Sequence, residues 1–162
     1  MKSGIVNNAI KILSTRPLND EILQDAALQG IDISVLSFID TAPIQSIEVA
    51  EEVEQASLLQ TAVIFTSMNA VEAVTEILFG LVPDWQVYCI GFTTRNLVAA
   101  YFGEDSIAGT ADSAANLAKK IVKDAYTDEV YFFCGDQRRE ELPAILSGSG
   151  IIVNEIVVYE TI

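Results

Sequence analysis

The chain contains no histidine and only two cysteines, four prolines and one tryptophan among its 162 residues. Without histidine, the usual Ser–His–Asp and Cys–His arrangements of nucleophilic catalysis are excluded, as are zinc sites that use imidazole. Cys89 and Cys134 each lie inside an apolar, strand-like run. A small buried thiol is the expected reading there, ahead of a disulfide, a metal ligand or a nucleophile. Cations are scarce as well: nine Lys and Arg stand against 23 Asp and Glu, for a net charge of −14. Nucleic acid and anionic membrane both call for a basic surface that releases counterions, so neither is expected as a partner. A small anionic ligand is still allowed, because local amides and a few guanidiniums can hold it against the overall field. No apolar run approaches the roughly 20 residues of a membrane span. The first residues, MKSGIVNNAIKIL, lack the apolar core and cleavage site of a secretory signal, so a cytoplasmic location is expected.

What the chain has in quantity is apolar residues, 51% of the total, with a mean hydropathy of +0.36. That is enough for a substantial core in one domain, or one and a fraction. The most informative stretch is Ala62 to Val74, AVIFTSMNAVEAV. Its unbroken apolar start reads as a strand covered on both faces, as in a parallel sheet. Thr66 and Ser67 follow as a tight loop. Asn69 and Glu72 have the spacing of a capping box, and Val71, Val74 and Leu78 recur along one helical face, so the helix is expected to begin near Asn69. Two hydroxyls beside free N–H groups at a helix start make a receptor for an anionic or carbonyl group. The same features also describe a well-capped turn that binds nothing.

The same rhythm runs through the rest. Ala9 to Ser14 reads as a strand broken by Thr15-Arg16-Pro17; a helix capped by Asp20 and ended by Gly30 follows, then a strand over Ile31 to Ile39. Asp40 to Gln60 reads as a connector and a short acidic helix whose charges form a solvated face. Further strands are expected over Gln86 to Ile90, around Ile107, over Glu129 to Cys134 and over Ile151 to Tyr159. Gly91 to Thr94 reads as a loop before a short helix, Leu97 to Phe102. Asp112 or Ser113 caps the helix carrying Leu117 and Ile121, and Pro143 requires the last helix to begin near Glu140.

Strands alternating with helices predict a doubly wound parallel α/β sheet, with ligand groups in the loops at the carboxyl ends of the strands. Those loops offer Thr15 and Arg16, Thr66 and Ser67, Thr93 and Thr94, Thr110, and Arg138 with Arg139. They bring hydroxyls, amides and guanidiniums, with no carboxylate pair, thiol or metal set. Such a lining suits a ligand rich in carboxylates or phosphates, although exposed arginines are often simply solvated.

ILSTRPL, TAVIFTSMNAVEAV, YCIGFTTRNL, VYFFCGDQRREELPAIL and VVYET, in that order, resemble uroporphyrinogen-III synthases. Each motif alone is weak, but the five together cover most of the chain. The resemblance implies two flavodoxin-like α/β domains joined by a two-stranded connector. On this sequence that means a partial first domain over 1–40, a connector over 41–49, a complete domain over 50–156 and a return connector over 157–162. It also implies a lyase of haem biosynthesis that cyclises the tetrapyrrole hydroxymethylbilane to uroporphyrinogen III with inversion of the last ring, using no cofactor or metal. Tyr159 matches the family's tyrosine and is the implied catalytic hydroxyl. Thr66, Ser67, Thr94, Arg16 and Arg138 are the implied substrate contacts. Relative to the family, the chain ends where the first domain would be completed, so a synthase-like binding or assembly module without activity is the alternative reading. A flavodoxin or a receiver domain fits less well, since neither a flavodoxin's phosphate-cradling loop nor a receiver's acidic cluster is present. The exposed strands of residues 9–39 are expected either to meet a second copy, making a homodimer, or to fold back onto the second domain's edge within one chain.

Overall fold

The computed structural model describes residues 10–124 and 127–162. The chain forms two compact units, one running through Asp40 with Ile162 and the other Thr41–Thr161.

The first unit is a βαβ element. β1 (Ile10–Ser14) and β2 (Ile31–Val35) pair in parallel, with Ile10 opposite Ile31 and Ser14 opposite Val35. Ala9, expected at the start of β1, lies outside the described residues. α1 (Asp20–Leu28) joins the strands. Its cap is Asn19, whose Oδ1 accepts a 2.9 Å hydrogen bond from the Ile22 amide. Asp20, the expected cap, stands one residue inside the helix, where its charge favours the positive end of the helix dipole. β2 stops at Val35, short of the expected Ile39, because a turn follows in which the Ser37 hydroxyl donates to the Ile39 carbonyl. None of the described residues of this unit is buried.

The second unit is a three-layer α/β/α sandwich. β3 (Thr41–Pro43) and α2 (Ile47–Ser57) lead into the central strand β4 (Thr61–Phe65). Then follow α3 (Met68–Leu78), β5 (Trp85–Ile90), α4 (Phe92–Phe102), β6 (Ile107–Ala111), α5 (Ala114–Asp124), β7 (Glu129–Gly135), α6 (Glu141–Gly148) and β8 (Ile152–Thr161). The sheet order is β3-β8-β7-β4-β5-β6, parallel throughout except for β3, which runs antiparallel to β8. Counted from β4, the five parallel strands are ordered 3-2-1-4-5, where a flavodoxin would show 2-1-3-4-5. The doubly wound parallel architecture expected from the sequence is present. Its switch point lies between β4 and β7, where the chain reverses its direction of winding.

Alternation along the strands divides the core between two faces. Val63, Phe65, Val87, Cys89 and Phe133 pack against α2, α3 and α4. Ile64, Tyr88, Val130, Phe132 and Cys134 pack against α5 and α6 through Leu117, Ile121, Leu142 and Leu146. At the centre of the first face, Phe65 stacks on Phe133 at 5.2 Å and on Phe102 at 6.0 Å, with Trp85 5.3 Å from Phe133. The Trp85 indole is buried, and its N–H donates to the Ala56 carbonyl at 2.9 Å, so the polar end of the ring is satisfied.

Several boundaries differ from those the sequence suggests. α3 begins at Met68, with Ser67 as the extended N-cap accepting from the Ala70 amide at 3.2 Å. Asn69 is therefore already helical and cannot cap, because a capping residue needs non-helical backbone. Gly91, at φ 78°, starts α4 directly. Thr93 and Thr94 thus fall in a helix rather than a loop. Ser46 caps α2 through the Val49 amide at 3.2 Å, and Ser113 caps α5 through the Asn116 amide at 3.2 Å.

Candidate functional site

A cleft of about 420 Å³ opens at the carboxyl ends of the strands beside the switch point. The βα loops after β4, β6 and β7, the ends of β5 and β8, and the first turns of α5 and α6 contribute its walls. Thr66 and Ser67 line it, half-buried at the start of α3. The Ser67 hydroxyl already accepts the Ala70 amide, leaving its proton free to donate.

Tyr159 lines the opposite wall and is held by three features. The pairing of β7 with β8 shifts between Cys134, opposite Val157, and Gly135, opposite Tyr159. Such a bulge re-aims the side chains beyond it. The Tyr159 ring then lies over Gly135: a Cβ built there would stand 2.6 Å from Cε2 and 2.8 Å from the hydroxyl oxygen, so only glycine fits without moving the ring. Asp136 closes the arrangement. Its amide donates to the Tyr159 carbonyl at 3.1 Å, and its Oδ1 accepts from the Thr161 amide at 2.9 Å. Hydrogen bonds from the Gln137 side chain and from Thr161 hold the Asp136 carboxyl below the usual carboxylate range.

Arg138 reaches the cleft but is already engaged. Its Nε and Nη2 make a bidentate pair with Glu155 at 2.6 and 2.8 Å, and Nη1 lies 3.2 Å from Glu140. The Arg138 fork keeps the Glu155 carboxyl below its ordinary range, and Glu155 raises the guanidinium pKa in turn. An anion meeting Arg138 must therefore displace a carboxylate. Arg139 also lines the cleft and makes no salt bridge among the described residues.

Thr94 is buried in the first turn of α4 and does not line the cleft, and neither does Thr110. Arg16 belongs to the first unit and is exposed there; its carbonyl accepts from the Ser14 hydroxyl at 2.8 Å. Two carboxylates that the reading of the loops did not include, Asp112 and Glu141, line the cleft beside Ser113 and Gln137. The Asn116 side chain bonds the Asp112 carboxylate at 2.8 Å and, as the first cause, lowers its pKa. Asp112 and Ser113 were recognisable as capping residues, which is what put them at the same end of the sheet. Burial raises the Cys89 thiol to about 11 and the Cys134 thiol to about 12, so both are inert at neutral pH. Among the described residues no group of three or more His, Cys, Asp or Glu is disposed to hold a metal.

A doubly wound α/β unit with its cleft at the topological switch point belongs to a class that binds ligands outside the carboxyl ends of its strands. The family model described as uroporphyrinogen-III synthase HemD matches residues 20–162, and the chain belongs to that family. Among solved structures, a mutant uroporphyrinogen III synthase of the extremely thermophilic bacterium Thermus thermophilus shares the fold at a TM-score of 0.65 and 12% identity, over 95% of this chain and 63% of its own. The uroporphyrinogen-III synthetase of Helicobacter pylori aligns at a TM-score of 0.54 and 16% identity, over 94% of this chain and 61% of its own. The chain thus spans less than two thirds of the length of these structures. No curated protein sequence matches it.

Proposed function

We propose that the protein acts as a uroporphyrinogen-III synthase, a cytoplasmic lyase that closes hydroxymethylbilane with inversion of its last ring and takes part in haem biosynthesis. The observation that carries this reading is the convergence of Tyr159, Thr66, Ser67 and Arg139 on one cleft at the switch point. The substrate's terminal hydroxyl leaves as water, producing an electrophilic azafulvene. The last ring attacks through its substituted carbon, and the resulting spiro intermediate fragments and recloses inverted. Uncatalysed closure gives the uninverted isomer, so the protein's task is to hold one conformation. Tyr159 donates its proton to the departing hydroxyl, while Thr66, Ser67 and the nearby amides hold substrate carboxylates. Arg138 joins them if a substrate carboxylate replaces Glu155, and Thr94 and Arg16 act only indirectly.

A cleft of 420 Å³ sits in the lower part of the roughly 300–1,000 Å³ usual for ligand sites, enough for part of a tetrapyrrole. The synthase reading applies to the protein with its substrate fully enclosed; these 162 residues by themselves, with a cleft for only part of it, are expected to give mainly the uninverted isomer from freshly made hydroxymethylbilane. Dominant isomer III would show that these residues suffice for inversion. In a form of the protein that does invert the ring, Tyr159→Phe should slow inversion by about two orders of magnitude or more, and Thr66→Ala less; unchanged rates in both would reject the assignment. The second reading is a synthase-like binding or assembly module without activity. The carboxylates of Asp112 and Glu141 favour it, since they oppose a polyanionic ligand in the same cleft.

The same reading includes a homodimer through residues 9–39. Ile10, Ile12 and Leu13 are 61%, 45% and 58% exposed on a sheet that has two strands among the described residues, and so small a sheet is marginal alone. Light scattering at micromolar protein concentration tests this, and a monomer would reject it.

A further inference from the structure

A second concavity, sharing no residue with the cleft, runs between α2 and α3. Ala50, Ala73 and Ile77 line it with Pro43, Ile44 and Phe79, around a volume of about 220 Å³. Phe79 is its most unusual member. It is 94% exposed, and its backbone, at φ 49° and ψ 40°, is left-handed. It is the only non-glycine residue at positive φ among the described residues. A bulky side chain in that region is a genuine outlier, and glycine would end the helix with less strain. The sequence thus places an aromatic ring in water where both its backbone and its solvation disfavour it. Ile47, Leu81 and Val82, exposed at 75%, 51% and 60%, lie on the same elements or on the loop after Phe79.

Charge narrows the choice of occupant. α2 carries Glu48, Glu51, Glu52 and Glu54, and α3 carries Glu72 and Glu76, while neither helix has a Lys or Arg. Glu54 and Glu76 line the groove itself. A second copy would bring the same glutamates against these, and an anionic membrane would be repelled as well. The one strand edge beside the groove is that of β3, only three residues long and ending in Pro43, which has no N–H to donate, so an extended peptide would gain few ladder hydrogen bonds there. We propose that this groove docks a cationic amphipathic helix of a partner protein. Aliphatic side chains of the partner enter the groove against Phe79, and its flanking Lys or Arg meet the α2 and α3 glutamates, in the helix-in-groove mode.

The test uses the 162-residue protein and a labelled helical peptide of about 18 residues, leucine and lysine in amphipathic order, followed by fluorescence anisotropy. A leucine–glutamate peptide of the same pattern serves as the control. Saturable binding of the lysine peptide alone is expected, weakened about tenfold or more by Phe79→Ser, the scale of an aromatic anchor. The double variant Glu54→Lys/Glu76→Lys should weaken it similarly, and Asp105→Lys, outside the groove, should not. Phe79→Gly guards against misfolding: glycine suits the left-handed backbone, so this variant should melt at the same temperature or higher while still losing affinity. Absence of binding would overturn the proposal. So would equal loss on reversing Asp105, or unchanged affinity in Phe79→Gly.

Discussion

The two units of this chain contain similar local signals but differ in what those signals support. In residues 10–40, Asn19 caps α1 and two β-branched strands pair in register, yet α1 buries no side chain and Leu28 is 85% exposed. In residues 41–161, the same kind of strand–helix–strand unit repeats until every face of β4 is covered, and Val63, Ile64 and Phe65 are fully buried. Capping and pairing set local shape in both units. Only repetition supplies the apolar burial that makes the shape stable.

The sharpest way to break this comparison is to remove equivalent apolar groups. Phe133→Ala should destabilise the second unit by roughly 3–5 kcal/mol, since it empties the centre of the aromatic cluster. Ile12→Ala, at a 45% exposed position, should change stability by no more than about 0.5 kcal/mol. Chemical denaturation measures both. A large effect at Ile12 would mean that β1 is covered in solution, and would support the dimer.

Within the second unit, Gly135→Ala is expected to cost about 1–3 kcal/mol, because the new methyl group meets the Tyr159 ring and forces it aside. Gly148→Ala, whose Cβ would meet nothing within 4 Å, should be neutral or stabilising by up to about 1 kcal/mol. Thermal melting separates the two, and equal effects would show that Tyr159 is not packed on Gly135.

Ser67→Ala should lower stability by about 1 kcal/mol through loss of the α3 cap. Asn19→Ala removes an equivalent cap from a unit none of whose described residues is buried. Its effect should appear as faster amide exchange at Ile22, with no shift of the main transition.

The smallest effect is pH-dependent. The folded-state pKa of Glu155 is lowered by Arg138, so the stability it contributes is present above the unfolded value of about 4.3 and is lost as pH falls through the folded one. Glu155→Gln should therefore cost a few tenths to about 1 kcal/mol at roughly pH 7. The difference from the parent should vanish once pH falls below the folded value, and a gap that persisted there would show that the carboxylate's charge is not what stabilises.

Periodicity was enough to read the βα alternation, the continuous burial of AVIF, the buried cysteines and the placement of Thr66, Ser67, Arg138 and Tyr159 at strand ends. These follow from local chemistry, since the repeats of about 2.0 and 3.6 residues and the breaks between them are written along the chain. The sequence also suggests caps, but choosing among neighbouring residues needs backbone angles: Ser67 over Asn69 and Asn19 over Asp20 were decided by which residue stays extended. Tertiary structure alone settled the order β6-β5-β4-β7-β8, because pairing partners are chosen by packing across distant segments. It also withdrew Thr94 into a helix, engaged Arg138 with Glu155, brought Asp112 and Glu141 into the cleft, and laid Tyr159 over Gly135. Thr94 follows from where the backbone begins α4, at Gly91; the others depend on the distance between residues far apart in the chain, which sequence spacing does not encode.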